Sequence, residues 1–185
     1  MKLTTMLLLL LSVLSATPVF AFERRFPASM CTTKISDRGE MELNQGAVGN
    51  KATGTNWRTI KVECPVIVDD ILLLGRIRRF NVDVLDNHNG ANGQVSARAC
   101  VRFRYVTGAV CAAGGVTTGE DWQIGWRELQ ASTVLTPYAI APWIQYPIDY
   151  PYIEVTLPGD GWSCVGCVGA SFISYVLGYT VSDIP

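Results

Sequence analysis

The chain has 185 residues, with 15 Lys and Arg against 16 Asp and Glu, and 49% of its residues are hydrophobic. That length fits one domain with a buried core. The near-balance of charge excludes the basic footprint of a general nucleic-acid binder and the acidic excess of a disordered tail.

Read in chain order, Met1-Lys2 places a positive charge ahead of an apolar run from Leu7 to Leu11 that continues through Val13 and Leu14. Small residues follow, up to Val19-Phe20-Ala21. Charged, apolar and small residues in that order form the pattern of a secretory signal. The run falls short of the roughly 20 apolar residues that a bilayer-spanning helix needs. Residues 1–21 are therefore expected to be a signal peptide cleaved after Ala21, with Ala16 as the alternative. Residues 22–185 would form a single domain carrying 14 basic and 16 acidic side chains.

The segment from Phe22 to Gly54 is polar and weakly patterned, and is expected to wrap the surface. Period two begins beyond it. Arg58, Ile60, Val62 and Cys64 mark a strand that Pro65 ends or confines to an edge. Ile71 to Leu74 reads as a short run buried on both faces. Phe80, Val82 and Val84 alternate with Asn81 and Asp83. A connection rich in Asn, Asp and Gly, from Asp86 to Gly93, leads to Val95, Ala97, Ala99, Val101, Phe103 and Tyr105, which alternate with polar residues and Cys100. Ile124, Trp126 and Leu129 suggest a further strand. Ile153, Val155 and Leu157 suggest another, stopped by Pro158-Gly159, and the last runs between Ser171 and Val181. The stretch from Val165 to Val181 lacks charge, but no Lys or Arg follows to anchor it, so it reads as core strand rather than as a membrane span. The expected fold is all-β: a single antiparallel β-sandwich, with a jelly roll as its candidate topology, and with disulfides.

Cys31, Cys64, Cys100, Cys111, Cys164 and Cys167 make an even set in a chain expected to be exported, which favours bridges over free thiols. Sequential pairing is the expectation: Cys31 with Cys64, Cys100 with Cys111, Cys164 with Cys167. Zinc would require more Cys and His at regular spacing than one Cys-x-x-Cys and one histidine supply. Cys164-Val165-Gly166-Cys167 has the form of a redox motif, but its glycine-rich flanks suit a stapled turn rather than a helix start. No metal or cofactor is expected.

The order of Val62-Glu63-Cys64-Pro65, the Asp83 to Asp86 strand leading to Cys100, and Ile173-Ser174-Tyr175 after Leu157-Pro158 resembles a loose group of small exported bacterial single-domain β proteins of unassigned function. The resemblance runs from Cys31 onward. It implies one β-domain outside the cytoplasm and brings no catalytic residue with it.

Nucleophilic hydrolysis by a Ser-His-acid triad would have to use His88, inside the Asn-rich connection, and no Gly-x-Ser-x-Gly elbow is present. The Asp86 to Asn92 stretch fails the EF-hand ligand order. No catalytic residue is therefore assigned.

Two surfaces suit ligands. Arg98, Arg102 and Arg104 share a strand face, with Arg76, Arg78 and Arg79 just before its expected neighbour. Such forks pair with phosphate, sulfate or carboxylate, as on an anionic glycan; the competing reading is a wet face paired with acids such as Asp83. Trp143, Tyr146 and Tyr150 alternate with Pro142, Pro147 and Pro151, which suits stacking on sugars or contact with another surface protein. The competing reading is a connection closing one end of the core. The leading expectation is a non-enzymatic exported protein with a binding or structural role at the cell surface or outside the cell. The alternatives are a carbohydrate-binding or carbohydrate-active domain and a self-assembling homo-oligomeric subunit that adds its apolar terminal strand to another copy.

Overall fold

The structure, a computed structural model, describes residues 22–51, 58–69, 72–87, 93–105, 107–113, 115–119, 125–132, 143, 149–159 and 173–183. Residues 1–21, His88, Tyr146, Cys164 and Cys167 lie outside the described residues.

The alternating segments form strands because period two gives each an apolar face to bury. The strands are β1 (Glu23–Pro27), β2 (Thr32–Thr33), β3 (Met41–Asn44), β4 (Ala47–Asn50), β5 (Ile60–Pro65), β6 (Arg79–Asp86), β7 (Ser96–Arg102), β8 (Ala109–Cys111), β9 (Val116–Thr117), β10 (Gly125–Ser132), β11 (Tyr150–Leu157) and β12 (Tyr175–Ser182). One sheet has the order β10-β6-β12-β4-β3, and β1 joins the same side of β12 as β4. The other has the order β2-β5-β11-β7-β8, with β9 also on β7. All pairings are antiparallel. From β4 to β7, and again from β10 to β12, the chain changes sheet with each successive strand, giving the jelly-roll-like sandwich.

Between the sheets lie Val82, Val84 and Phe80 from β6, Val176, Tyr179 and Val181 from β12, Val62 from β5, Ala97, Ala99 and Val101 from β7, and Ile153, Val155 and Leu157 from β11. Each large side chain among them contributes roughly 1.5–3 kcal/mol by leaving water. Two disulfides, Cys31–Cys64 and Cys100–Cys111, match the sequential pairing. Among the described residues, the grouping that places metal-ligand atom types together is Cys100, Cys111 and Glu154. Its two sulfurs are bonded to each other, so they are not thiolate ligands.

Five expectations are corrected. The segment from Phe22 onward does not merely wrap the surface: it supplies β1 to β4 and buries Phe26, Ala28, Cys31 and Val48. These strands are too short to show a period, and they are fixed by pairing with distant β12 and β5. The apolar run ending at Leu74 is not a doubly buried strand; Leu73 is exposed, and a 3-10 turn covers Leu74–Arg76. Tyr105 lies beyond the end of β7 and is exposed. Strand β6 is not the neighbour of β7, because the two lie in opposite sheets. Finally, the terminal strand β12 is hydrogen-bonded along both sides, so it has no free edge to donate to another copy.

Candidate functional site

The outer face of the second sheet holds most of the side chains that the sequence points to. Arg98 and Arg102 project outward from β7, alternating with buried Ala97, Ala99 and Val101. Register places Glu154 of β11 beside Arg98 on one side and Glu63 of β5 on the other. Arg98 donates from Nε and Nη2 to Glu154 Oε1 at 2.8 and 2.7 Å, and Lys61 Nζ reaches the same oxygen at 3.2 Å. Arg102 Nη2 donates to both Glu63 oxygens at 2.6 and 2.5 Å and lies 5.6 Å from the centre of the Tyr152 ring. The acids facing this row are therefore Glu63 and Glu154, not Asp83, which stands on the opposite sheet.

Arg104, just past β7, sits over Tyr150 at 5.6 Å and Tyr105 at 6.0 Å, while its backbone N–H donates to Asp149. Tyr150 is the cross-strand partner of Arg102. The arginine face and the exposed tyrosine of the proline-aromatic segment, separate in sequence, thus form one surface. Trp143 does not join it. Its indole is fully buried, donates Nε1–H to the Cys100 carbonyl at 2.7 Å, and packs 6.0 Å from Phe80. Trp143 thus closes the core and presents no face to a ligand.

The sequence reading missed a second surface, on the outer face of the first sheet. Trp126 on β10 is 72% exposed. Register sets it in a row with Leu85 of β6, Tyr175 of β12 and Gly49 of β4. A Cβ on Gly49 would lie 2.6 Å from Tyr175 Cε1, so the glycine is what lets the tyrosine ring lie down on the sheet. The next row pairs Glu128 with Asp83, both exposed, and Asp83 with Gly178.

A β-bulge between Val176 and Gly178 leaves Leu177 without a ladder partner and turns it outward beside this row. The β3–β4 hairpin turn, with positive φ at both Gln45 and Gly46, brings Asn44 and Gln45 to the rim. Two open grooves result, on either side of Trp126. One, of about 370 Å³, is lined by Asn44, Gln45, Leu85 and Tyr175 as well as Trp126 and Leu177. The other, of about 450 Å³, adds Asp83, Arg127 and Glu128 to the same tryptophan and leucine. An exposed indole flanked by amide and carboxylate oxygens offers an apolar face together with hydrogen-bond partners, the combination found in small-molecule sites.

No family model matches the chain, and no curated protein matches it. Solved structures do resemble it. A mutant of the family 29 carbohydrate-binding module CBM29-2, complexed with mannohexaose, aligns over 91% of this chain and 85% of that one, at 8% identity and a TM-score of 0.34. TmCBM27, a carbohydrate-binding module studied for specific mannan recognition, aligns over 89% of this chain and 98% of its own, at 12% identity and a TM-score of 0.39. The glycosylation-associated Gap123 complex of Streptococcus agalactiae aligns at 9% identity and a TM-score of 0.39; the match spans 91% of this chain and 29% of that one. Likeness at this level is one of outline and assigns no ligand.

What decides the character of the Trp126 surface is its own chemistry. Asp83 and Glu128 stand side by side in an open groove. That arrangement suits accepting hydrogen bonds from hydroxyl groups.

Proposed function

We propose that this chain is an exported carbohydrate-binding β-sandwich whose ligand, a neutral polysaccharide, lies across Trp126 on the outer face of the sheet formed by β10, β6, β12 and β4. The observation that carries the reading is the solvent-exposed indole of Trp126 between two grooves that share it. An aromatic ring of this size, left in water on a strand, gains by covering its face with the C–H side of a sugar. Asn44, Gln45, Asp83 and Glu128 stand where hydroxyl groups of that sugar would emerge. Two grooves that share Trp126 favour a chain of sugars over a monosaccharide. The two disulfides support an oxidising, extracytoplasmic location, in keeping with the signal-like amino terminus.

Affinity electrophoresis through gels holding soluble mannan, xylan, β-glucan or dextran tests the reading. The protein is expected to be retarded by at least one of them, and Trp126→Ala to weaken that binding by about tenfold or more. Unretarded migration in every gel, or equal retardation of the Trp126→Ala variant, would overturn it.

A further inference from the structure

The opposite face of the sandwich carries a groove of different chemistry. It has a volume of about 320 Å³ and runs over β5, β11, β7 and β9. Register aligns Lys61, Thr156, Ser96 and Thr117 in one row across those four strands. With strands about 4.8 Å apart, the row extends roughly 14 Å. Beside it runs the ionic row, in which Arg98 and Lys61 share one oxygen of Glu154.

The charges on this floor do not cancel. Among the described residues that line the groove, two cations meet one carboxylate, and neighbouring Glu63 is engaged by Arg102. The Glu154 side chain is 11% exposed, whereas those of Lys61 and Arg98 are 44% and 38% exposed. The buried carboxylate therefore positions both cations while their outer sides stay open to solvent. Holding them in place beforehand reduces the ordering cost of binding. Thr117 Oγ1 already accepts the Gly119 N–H at 3.2 Å, which leaves its own proton to donate. At the end of the groove, Gly115 comes so close to β7 that a Cβ there would lie 2.8 Å from the Ala97 carbonyl.

The geometry points to a second binding site here, for the oxyanion of an acidic polysaccharide, with its carboxylate or sulfate between Lys61 and Arg98 and its hydroxyls along Thr156, Ser96 and Thr117. Surplus positive charge selects the anion. The row of hydroxyls suits a polyhydroxylated chain better than an apolar ligand. This site lies on the other sheet from Trp126 and stands or falls independently of it.

Affinity electrophoresis of the disulfide-bonded protein in polygalacturonate, dextran sulfate and uncharged dextran tests the inference. Retardation is expected in at least one acidic gel, to fall as salt is raised, and to persist in Trp126→Ala. Retardation by only one of the two identifies the oxyanion as carboxylate or sulfate. Thr117→Glu adds a like charge at an exposed edge-strand position without touching the ionic row; it should weaken binding by about tenfold, while Thr117→Gln retains it. Lys61→Gln should weaken binding in the same direction. Migration in both acidic gels equal to that in dextran, or Thr117→Glu binding as well as the unaltered protein, would overturn the site.

Discussion

The Tyr179 hydroxyl, in the middle of one sheet, donates to the Pro65 carbonyl at the end of a strand in the other, at 2.6 Å. The same ring stacks on Phe26 at 5.0 Å between centroids. One side chain thus joins β12, β5 and β1. Removing only its oxygen, as Tyr179→Phe, keeps the stacking and leaves the carbonyl without its donor. The expected cost is about 1–3 kcal/mol, read as a lower urea midpoint at an unchanged slope.

The same burial gives an alkaline signature. Desolvation raises the Tyr179 phenol above the usual 10.0. Tyr152 is raised too, by burial first and then by Glu63 and Glu154, with Arg102 opposing. Above pH 10.0 the unfolded chain gives up protons that the folded chain keeps, so unfolding becomes easier. Stability is fully present below that pH and is lost as pH climbs toward the raised folded values. Urea midpoints measured across this range should fall, and fall less steeply in Tyr179→Phe. Parallel pH profiles for the two proteins would contradict the assignment to Tyr179.

The two bridges close loops of different length, with sequence separations of 33 and 11. Loop-closure entropy makes the longer bridge worth about 1 kcal/mol more. Replacing Cys31 and Cys64 together by alanine should therefore lower stability more than replacing Cys100 and Cys111. Chemical unfolding of the two double variants decides it, and the reverse order would show that packing of β7 against β8 outweighs chain entropy.

Trp126 and Trp143 should behave as opposites. Trp143→Ala empties a fully buried site and removes the donor to Cys100, for an expected loss of about 3–5 kcal/mol. Trp126→Ala should change stability by no more than about 0.5 kcal/mol, as surface substitutions do. Acrylamide quenching of Trp126→Phe should also lose a readily quenched component of the fluorescence.

Gly49→Ala tests how the Trp126 surface is built. The new methyl would press on Tyr175 and on Ile173 Cγ2, initially 2.8 Å away. Overpacking of this kind costs about 1–3 kcal/mol, and lifting the Tyr175 ring should weaken polysaccharide binding in the same variant. Unaltered melting together with unaltered binding would show that the ring moves aside freely.

Local sequence sufficed for the strands with a regular period. Phe80, Val82 and Val84 had to face one way, and so did Ala97, Ala99 and Val101, because a pleated chain sends alternate side chains to opposite faces. Even cysteine number anticipated the two bridges seen. Strands β1 to β4 were not legible: two to five residues long, they gain their structure from partners far along the chain. The acid partners of Arg98 and Arg102 were hidden for the same reason, since Glu154 and Glu63 arrive from other strands of the sheet.

The sequence by itself determined that the alternating strands would each bury one apolar face in a β core, because that removes those side chains from water. Tertiary structure alone decided which tryptophan meets solvent. Trp143 and Trp126 differ not in residue type but in their neighbours. One lies under the sheet beside Phe80, and the other stands on the outer face in a row with Leu85, Tyr175 and a glycine that leaves the tyrosine room. Register between distant strands sets that difference, and no local pattern encodes it.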